Sequence, residues 1–191
     1  NTQGLQGGNY DNMISLLANQ DDYKFNILMT PGLYNQDYDT QCTQLLNNTQ
    51  GRGDSLLVLD LVAYNKQIAD ATAQASSRNS SYAASYWPWV MVIDPDTGKN
   101  VWVPASTVMA GVFSYNDSVS EPWFAPAGIN RGGLGQVIRA EQKLTQANRD
   151  TLYTGKVNPI ATFPGTGTVV YGQKTLQTRA SALDRVNVRR L

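Results

Sequence analysis

Short apolar runs that alternate with helical segments constrain the fold of this chain more than any other feature. KFNILMTPGL (residues 24–33) and SLLVLDLV (residues 55–62) have the length and aliphatic content of buried strands. Apolar residues recur at helical spacing in residues 11–19, 37–49 and 65–77. Strands that are separated by helices of this length are typical of a parallel sheet with helices on its faces. We therefore predict an α/β fold with a mostly parallel sheet flanked by helices.

The second half of the chain adds a β-hairpin and a long loop rich in Gly and Pro. WPWVMVIDPDTGKNVWVPAS (residues 87–106) indicates two strands joined by the turn DPDTGK. A helix is predicted from Pro104, because proline favours the first helical position, and Asn116 to Gly135 is predicted as a surface loop. The further predictions are a strand from residue 136, a helix ending near Gly155, the strands NPIATF and GTVVYGQKTL, and a final VNVRRL that starts either a strand or a helix.

Several classes of chemistry are disfavoured by what the chain lacks. It has no histidine, which removes the usual general base and the commonest transition-metal ligand. Its single cysteine, Cys42, forms no internal disulfide and fits a reducing compartment. No apolar run approaches the ~20 residues that cross a bilayer, so no membrane insertion is predicted. We predict no catalytic, cofactor or metal site, although a Ser-Lys dyad is compatible with the composition.

The glycine-rich segment APAGINRGGLGQ (residues 125–136) raises the alternative of a phosphate-binding loop. It has four glycines, but no G-x-G-x-x-G follows a strand and opens a helix. We interpret it as a connecting segment that permits sharp turns and close backbone approach, with Arg131 able to hold a carboxylate or a carbonyl. An aromatic group that includes Trp89 and Trp102 fits either a stacking platform or, as the alternation in WVMVID favours, core packing.

Charge is divided unevenly along the sequence. Residues 1–130 hold 5 Lys and Arg against 12 Asp and Glu, whereas residues 131–191 hold 10 against 3. A nucleic-acid binder would keep its basic excess without a matching acidic half, so no direct nucleic-acid partner is predicted. Two explanations stay open: opposite halves meet between identical copies, or folding brings them together within one chain.

Five blocks in order resemble the tail sheath protein of contractile-tailed (T4-like) bacteriophages. They are YWPWVMVIDPDTGKNVWVPAS, AGVFSYND, WFAPAGINRG, VNPIATFPGTGTVVYGQKTL and DRVNVRRL, within residues 82–191. The upstream runs FNILMTPGL and SLLVLDLV fit the central domain of the same family. The chain departs from the family at VPAS, where many relatives read Pro-Pro-Ser-Gly, and at Tyr171, where tryptophan is common.

The resemblance implies a subtilisin-like, non-catalytic fold and a structural role. Sheath subunits form stacked hexameric rings around the tail tube and contract to drive it through the host envelope for genome delivery. The implied partners are other sheath subunits in a helical array, the tail tube protein, and baseplate and tail terminator proteins; no cofactor is implied. The implied location is the tail sheath of the virion, assembled in the host bacterial cytoplasm. The alternatives are the sheath of a type VI secretion system or bacteriocin, and a Ser/Lys hydrolase.

The family also implies how this sequence relates to a whole sheath subunit. We expect residues 1–191 to be one sheath core domain, a fragment that lacks the N-terminal part and the C-terminal tube-binding domain. We further expect cations of the basic segment, residues 174–190, to face acidic patches on adjacent copies. The assembly-surface candidates are Arg131, Lys174, Arg179, Arg185, Arg189 and Arg190.

Overall fold

The computed structural model describes residues 6–191 as a mixture of helices and short strands. The helices are α1 (Gly8–Leu17), α2 (Asp39–Arg52), α3 (Ile68–Ser76), α4 (Ala105–Val119), α5 (Gln146–Thr154) and α6 (Val186–Arg189), with a 3-10 helix at Ala182–Asp184. The strands are β1 (Ile27–Met29), β2 (Leu56–Val58), β3 (Ala83–Ala84), β4 (Tyr86–Trp87), β5 (Val90–Ile93), β6 (Asn100–Val103), β7 (Val137–Ala140), β8 (Asn158–Phe163) and β9 (Gly167–Val170).

The strands form three small sheets that differ in strand direction. In the first, β2 lies between β1 and β3, and both neighbours run parallel to it. In the second, β8 pairs parallel with β4 and antiparallel with β9. In the third, β5 pairs antiparallel with both β6 and β7. The expected mostly parallel sheet is therefore found only in the first sheet, because β5–β6 and β8–β9 are joined by tight turns, which permit only antiparallel pairing.

Several element predictions are confirmed, while the ends of others are wrong. The hairpin pairs Val90 with Val103 and Ile93 with Asn100, as the DPDTGK turn predicts. Helix α2 continues past the predicted end at residue 49 and stops where Gly53 adopts a left-handed φ of 75°. Helix α4 runs to Val119, into the predicted loop. The final VNVRRL contains the short helix α6, so its alternating valines do not form a strand.

Strand β2 is buried on both faces and divides the core into two groups of side chains. Leu57 belongs to the group beneath α2 and α3, which includes Leu45 and Ala75. Leu56 and Val58 belong to the other group, which α4 completes with several buried apolar side chains. Successive residues of a strand point to opposite faces, so an uninterrupted apolar run is what a central strand between two helical layers requires.

Residues 125–136 cover the free edge of β9. The Gly128 N–H donates to the Val170 carbonyl and the Val170 N–H donates to the Gly132 carbonyl, each at 2.8 Å, while the Leu134 N–H donates to the Thr168 carbonyl at 2.9 Å. A Cβ at position 132 would lie 2.6 Å from the Val170 carbonyl oxygen. The segment therefore approaches β9 as closely as glycine allows and satisfies backbone groups that an exposed edge would leave unpaired.

We predict that Gly132→Ala destabilises the chain by about 1–3 kcal/mol, because the added methyl group overlaps the β9 backbone. The adjacent Gly133→Ala is the matched control, since a Cβ there meets nothing within 4 Å. Its free energy of unfolding should match or slightly exceed that of the wild type. Urea unfolding of both variants measures the difference, and equal stabilities would contradict the proposed close approach.

Candidate assembly surface

The buried carboxyl of Asp60 holds the start of α4 against the end of the first sheet. Asp60 follows β2 and accepts hydrogen bonds from the Ser106 hydroxyl at 2.6 Å and from the Ser106 N–H at 3.2 Å. Helix α4 has no side-chain cap of its own at Pro104, so Asp60 satisfies one of its N-terminal N–H donors from another element. Burial raises the pKa of Asp60 to about 6, against the opposing effect of these hydrogen bonds.

The arrangement does not resemble an accessible nucleophile. Ser106 is fully buried and its hydroxyl donates to a carboxylate inside the core. The Lys156 ammonium, whose pKa burial lowers, donates to the carbonyls of Arg78 at 2.9 Å and Leu176 at 3.2 Å and to the Thr178 hydroxyl at 3.2 Å. Within residues 6–191 it therefore contacts no serine hydroxyl, which a Ser-Lys dyad would require.

Two properties of residues 6–191 bear on other functions. No group of three or more His, Cys, Asp or Glu side chains there is arranged to hold a metal ion. None of the helices in this range is long and apolar enough to cross a membrane.

Arg190 is held inside its own chain. Its guanidinium donates to both carboxylate oxygens of Asp117, at 3.0 and 2.5 Å, and its Cζ lies 4.8 Å from the centre of the Phe113 ring. The Arg190 side chain is only 5% exposed. This ion pair joins the basic C-terminal segment to the acidic half of the sequence, so one pair of opposite charges from the two halves meets within the chain.

Arg189 makes a second contact of the same kind. Its Cζ lies 3.4 Å from the centre of the Tyr82 ring, and its Nη2 donates to the Gly53 carbonyl at 3.1 Å. The stacked guanidinium and the carbonyl fix α6 against the turn that ends α2.

Three further candidate cations also have partners within the chain. The Arg131 guanidinium lies 4.9 Å from the Phe124 ring centre, and its Nε donates to the Ala125 carbonyl at 3.2 Å. The Lys174 ammonium lies 4.3 Å from the centre of the Tyr153 ring, and Arg185 pairs with Asp184 at 2.6 Å. These contacts reduce the charge that the three residues offer to a neighbouring copy.

Arg179 differs from the other five candidates. It is exposed, and no hydrogen bond, ion pair or aromatic contact of its side chain occurs within residues 6–191. It lines an open groove of about 480 Å³ whose other lining residues are mostly polar. They are Gln50, Asn79, Ser80, Ser81, Tyr82, Gln177, Ala180, Ser181 and Leu183.

The sequence did not reveal how the six cations divide between internal and exposed positions. Arg190 and Asp117 are 73 residues apart, and neither lies in a local pattern that identifies the other. Charge counts identify the basic segment but carry no information on which of its side chains are buried, because burial depends on the path of the chain between them.

Comparison with known proteins identifies the family. Residues 7–176 match the family described as phage tail sheath protein central domain. The chain is 43% identical over 113 residues to the tail sheath protein of Vibrio phage KVP40, covering 59% of this chain and 17% of that protein. It is 35% identical over 156 residues to the tail sheath protein of Enterobacteria phage T4, covering 82% of this chain and 24% of that protein. The chain thus spans about a fifth of the length of these relatives.

A solved structure agrees with these sequence matches. The sheath complex of the extracellular contractile injection system PVC, in its contracted state, superposes with a TM-score of 0.68 at 28% identity. The match covers 88% of this chain and 44% of that one. The mixed α/β fold described above is therefore that of a contractile sheath protein.

We predict that Arg190→Ala lowers the free energy of unfolding by about 2 kcal/mol, because it removes a buried cation and leaves the partly exposed Asp117 carboxylate without its cationic partner. Asp117→Ala and the double variant complete a cycle whose coupling energy should exceed about 1 kcal/mol. Arg179→Ala is the control, and its exposed side chain should change stability by less than about 0.5 kcal/mol. Equal losses for Arg190→Ala and Arg179→Ala would contradict the assignment of Arg190 to the interior.

A second prediction concerns Asp60. Because folding raises its pKa to about 6, the folded state holds its proton more tightly than the unfolded state. The contribution of Asp60 to stability is therefore greatest below about pH 4 and is lost as the pH rises to about 6, by an amount on the order of 3 kcal/mol. Asp60→Asn removes this titration while keeping an acceptor for the Ser106 N–H.

The stability of Asp60→Asn relative to the wild type should therefore increase between pH 4 and pH 7, measured by urea unfolding at each pH. Asp60→Ala, which leaves both Ser106 donors unpaired, should be less stable than Asp60→Asn throughout this range. A stability difference between Asp60→Asn and the wild type that is constant with pH would exclude the proposed titration.

Proposed function

This chain belongs to the phage tail sheath protein central domain family, and we propose that it is part of a structural subunit of a contractile phage tail sheath. The observation that carries this proposal is the family match over residues 7–176. The subunit polymerises as stacked hexameric rings in a helical array around the tail tube. Contraction of the array drives the tube through the host envelope for genome delivery.

The proposed work is done by exchange of contacts between subunits. A contracting array passes from one set of contacts to another of lower free energy, and no nucleotide is consumed. Contacts that must break and form again are individually weak: an exposed ion pair contributes about 0.2–1 kcal/mol. The stored free energy becomes large because the same contact is repeated in every copy of the array.

A subunit that transmits load must itself keep its shape. The ion pair of Arg190 with Asp117, the Asp60 contact with α4 and the covered edge of β9 each join segments that are distant in sequence. These contacts support a body that moves as a unit, while weaker contacts on its surface exchange.

The proposal includes the absence of catalysis and of any cofactor. Burial of Ser106 and the binding of Lys156 to carbonyls support a scaffold without a nucleophile. We retain the subtilisin-like relationship as part of the proposal, and the parallel strands β1, β2 and β3 with helices on both faces are the part of the chain that supports it.

The wider assembly follows from the same proposal. The partners would be other sheath subunits, the tail tube, and the baseplate and tail terminator proteins. The location would be the tail sheath of the virion, after assembly in the host cytoplasm. We propose that residues 1–191 form one sheath core domain to which an N-terminal part and a C-terminal tube-binding domain are added in the complete subunit.

A second candidate function is the sheath of a contractile injection system. The similarity to the PVC sheath complex favours it, since such a sheath would share the fold and the contracting array. The two candidates differ in what the tube delivers, and genes for capsid and DNA packaging beside the sheath gene would identify the phage.

We predict that full-length sheath protein containing this chain forms hollow cylinders, visible by negative-stain electron microscopy, when it is mixed with assembled tail tubes. The Gly132→Ala variant should form fewer cylinders than the wild type at equal concentration, because assembly requires a correctly folded core. Wild-type protein that remains folded and monomeric with tubes present would contradict a sheath function. Release of a small-molecule product by the purified protein would support the hydrolase instead.

A further inference from the structure

We infer that the groove beside Arg179 binds the tip of the β5–β6 hairpin of a second copy, with Asp96 of that copy as the partner of Arg179. This inference rests on the proposed sheath function, since it requires that copies of the chain meet in an array. It identifies one contact among those that such an array would exchange.

The groove has the chemistry of a carboxylate site. Arg179 supplies an exposed guanidinium, a fork of donors that suits a carboxylate. Hydroxyl and amide groups of Ser80, Ser81 and Asn79 line the same groove, and no Asp or Glu is among its lining residues. The groove is open and has a volume of about 480 Å³, so part of an exposed turn can enter it.

The hairpin tip has the matching shape and charge. Residues 95–100 are all exposed, and the turn is rigid because Asp94 accepts hydrogen bonds from the Thr97 hydroxyl at 2.5 Å and the Asp96 N–H at 3.2 Å. The carboxylate of Asp96 has no hydrogen bond or ion pair within residues 6–191. Asp94, Asp96 and Lys99 together leave the tip with a net negative charge.

The groove and the hairpin are attached to opposite ends of the first sheet. Gln50 lies near the end of α2, and Tyr82 immediately precedes β3, so the groove lies where the parallel strands begin. The hairpin starts where they end, since the Trp89 indole donates to the Val62 carbonyl at 3.1 Å, beyond β2. Helix α2, which has 14 residues, is about 20 Å long, and this length gives the separation of the two ends.

This placement favours a head-to-tail contact. A surface that binds a different surface of an identical copy extends into an open array, whereas a self-complementary surface closes as a dimer. One copy would offer its groove to the neighbour on one side and its hairpin to the neighbour on the other. Such a contact propagates through an array of any length.

Six other carboxylates fit this role less well. Asp39, Asp54, Asp117 and Asp184 already pair with arginines of the same chain. Asp21 and Asp22 lie on the groove side of the molecule, because the neighbouring Gln20 donates to the Arg52 carbonyl at 2.6 Å. If Asp21 or Asp22 were the partner of Arg179, the same ends of two copies would meet, and the acidic groups at those ends would repel each other.

A charge exchange in full-length sheath protein tests the contact. Arg179→Glu and Asp96→Lys each replace attraction by repulsion, so each should raise the protein concentration needed for cylinder formation by about three- to tenfold at low salt. The double variant restores opposite charges, and its assembly should return to within about twofold of the wild type. Light scattering and negative-stain microscopy measure both quantities.

Lys143→Glu and Asp37→Lys are the matched controls, because both positions are exposed and lie outside the groove and the hairpin. They should assemble as the wild type does. Single variants at 179 and 96 that assemble normally would overturn the inference while leaving the sheath function intact, as would single variants whose defect the double variant does not repair. Absence of cylinders from the wild type would remove the proposed function and this inference together.

Discussion

The side-chain amide of Asn158 is the contact on which the C-terminal third of the structure depends. It is fully buried, donates to the carbonyls of Ser85 at 3.0 Å and Lys174 at 2.8 Å, and accepts from the Lys174 N–H at 2.6 Å. Each of these backbone groups would cost about 1–3 kcal/mol if buried without a partner. Asn158 therefore joins the strand region around Ser85 to the start of the basic segment and fixes the direction in which that segment leaves.

From Lys174 onward the basic segment returns over the acidic part of the chain. Arg189 stacks on Tyr82 and Arg190 pairs with Asp117, so two cations of this segment are held by residues of the acidic half. Arg179, by contrast, is exposed. The contacts of Arg189 and Arg190 hold the interior firmly, which is what the proposed role in a contracting array requires of a subunit.

The sequence predicted those features whose signals are local. The aliphatic run at β2 and the DPDTGK turn each specify a structure by themselves, and the family resemblance added the overall identity. The two-residue strands β3 and β4 were missed because Ala83–Ala84 and Tyr86–Trp87 are too short for any periodicity. The positions of the six candidate cations were also beyond prediction, because the Arg190 and Asp117 pair depends on the fold of the 72 residues between them.

A cryo-EM reconstruction of the assembled full-length sheath, at a quality that resolves side chains, tests the central claim most directly. The claim is that Arg189 and Arg190 hold the subunit together while surface charges such as Arg179 connect subunits. The reconstruction should show Arg190 paired with Asp117 of the same copy and Arg179 next to a carboxylate of a neighbour. A sheath in which Arg190 instead pairs across the subunit boundary, with Arg179 facing solvent, would contradict the account.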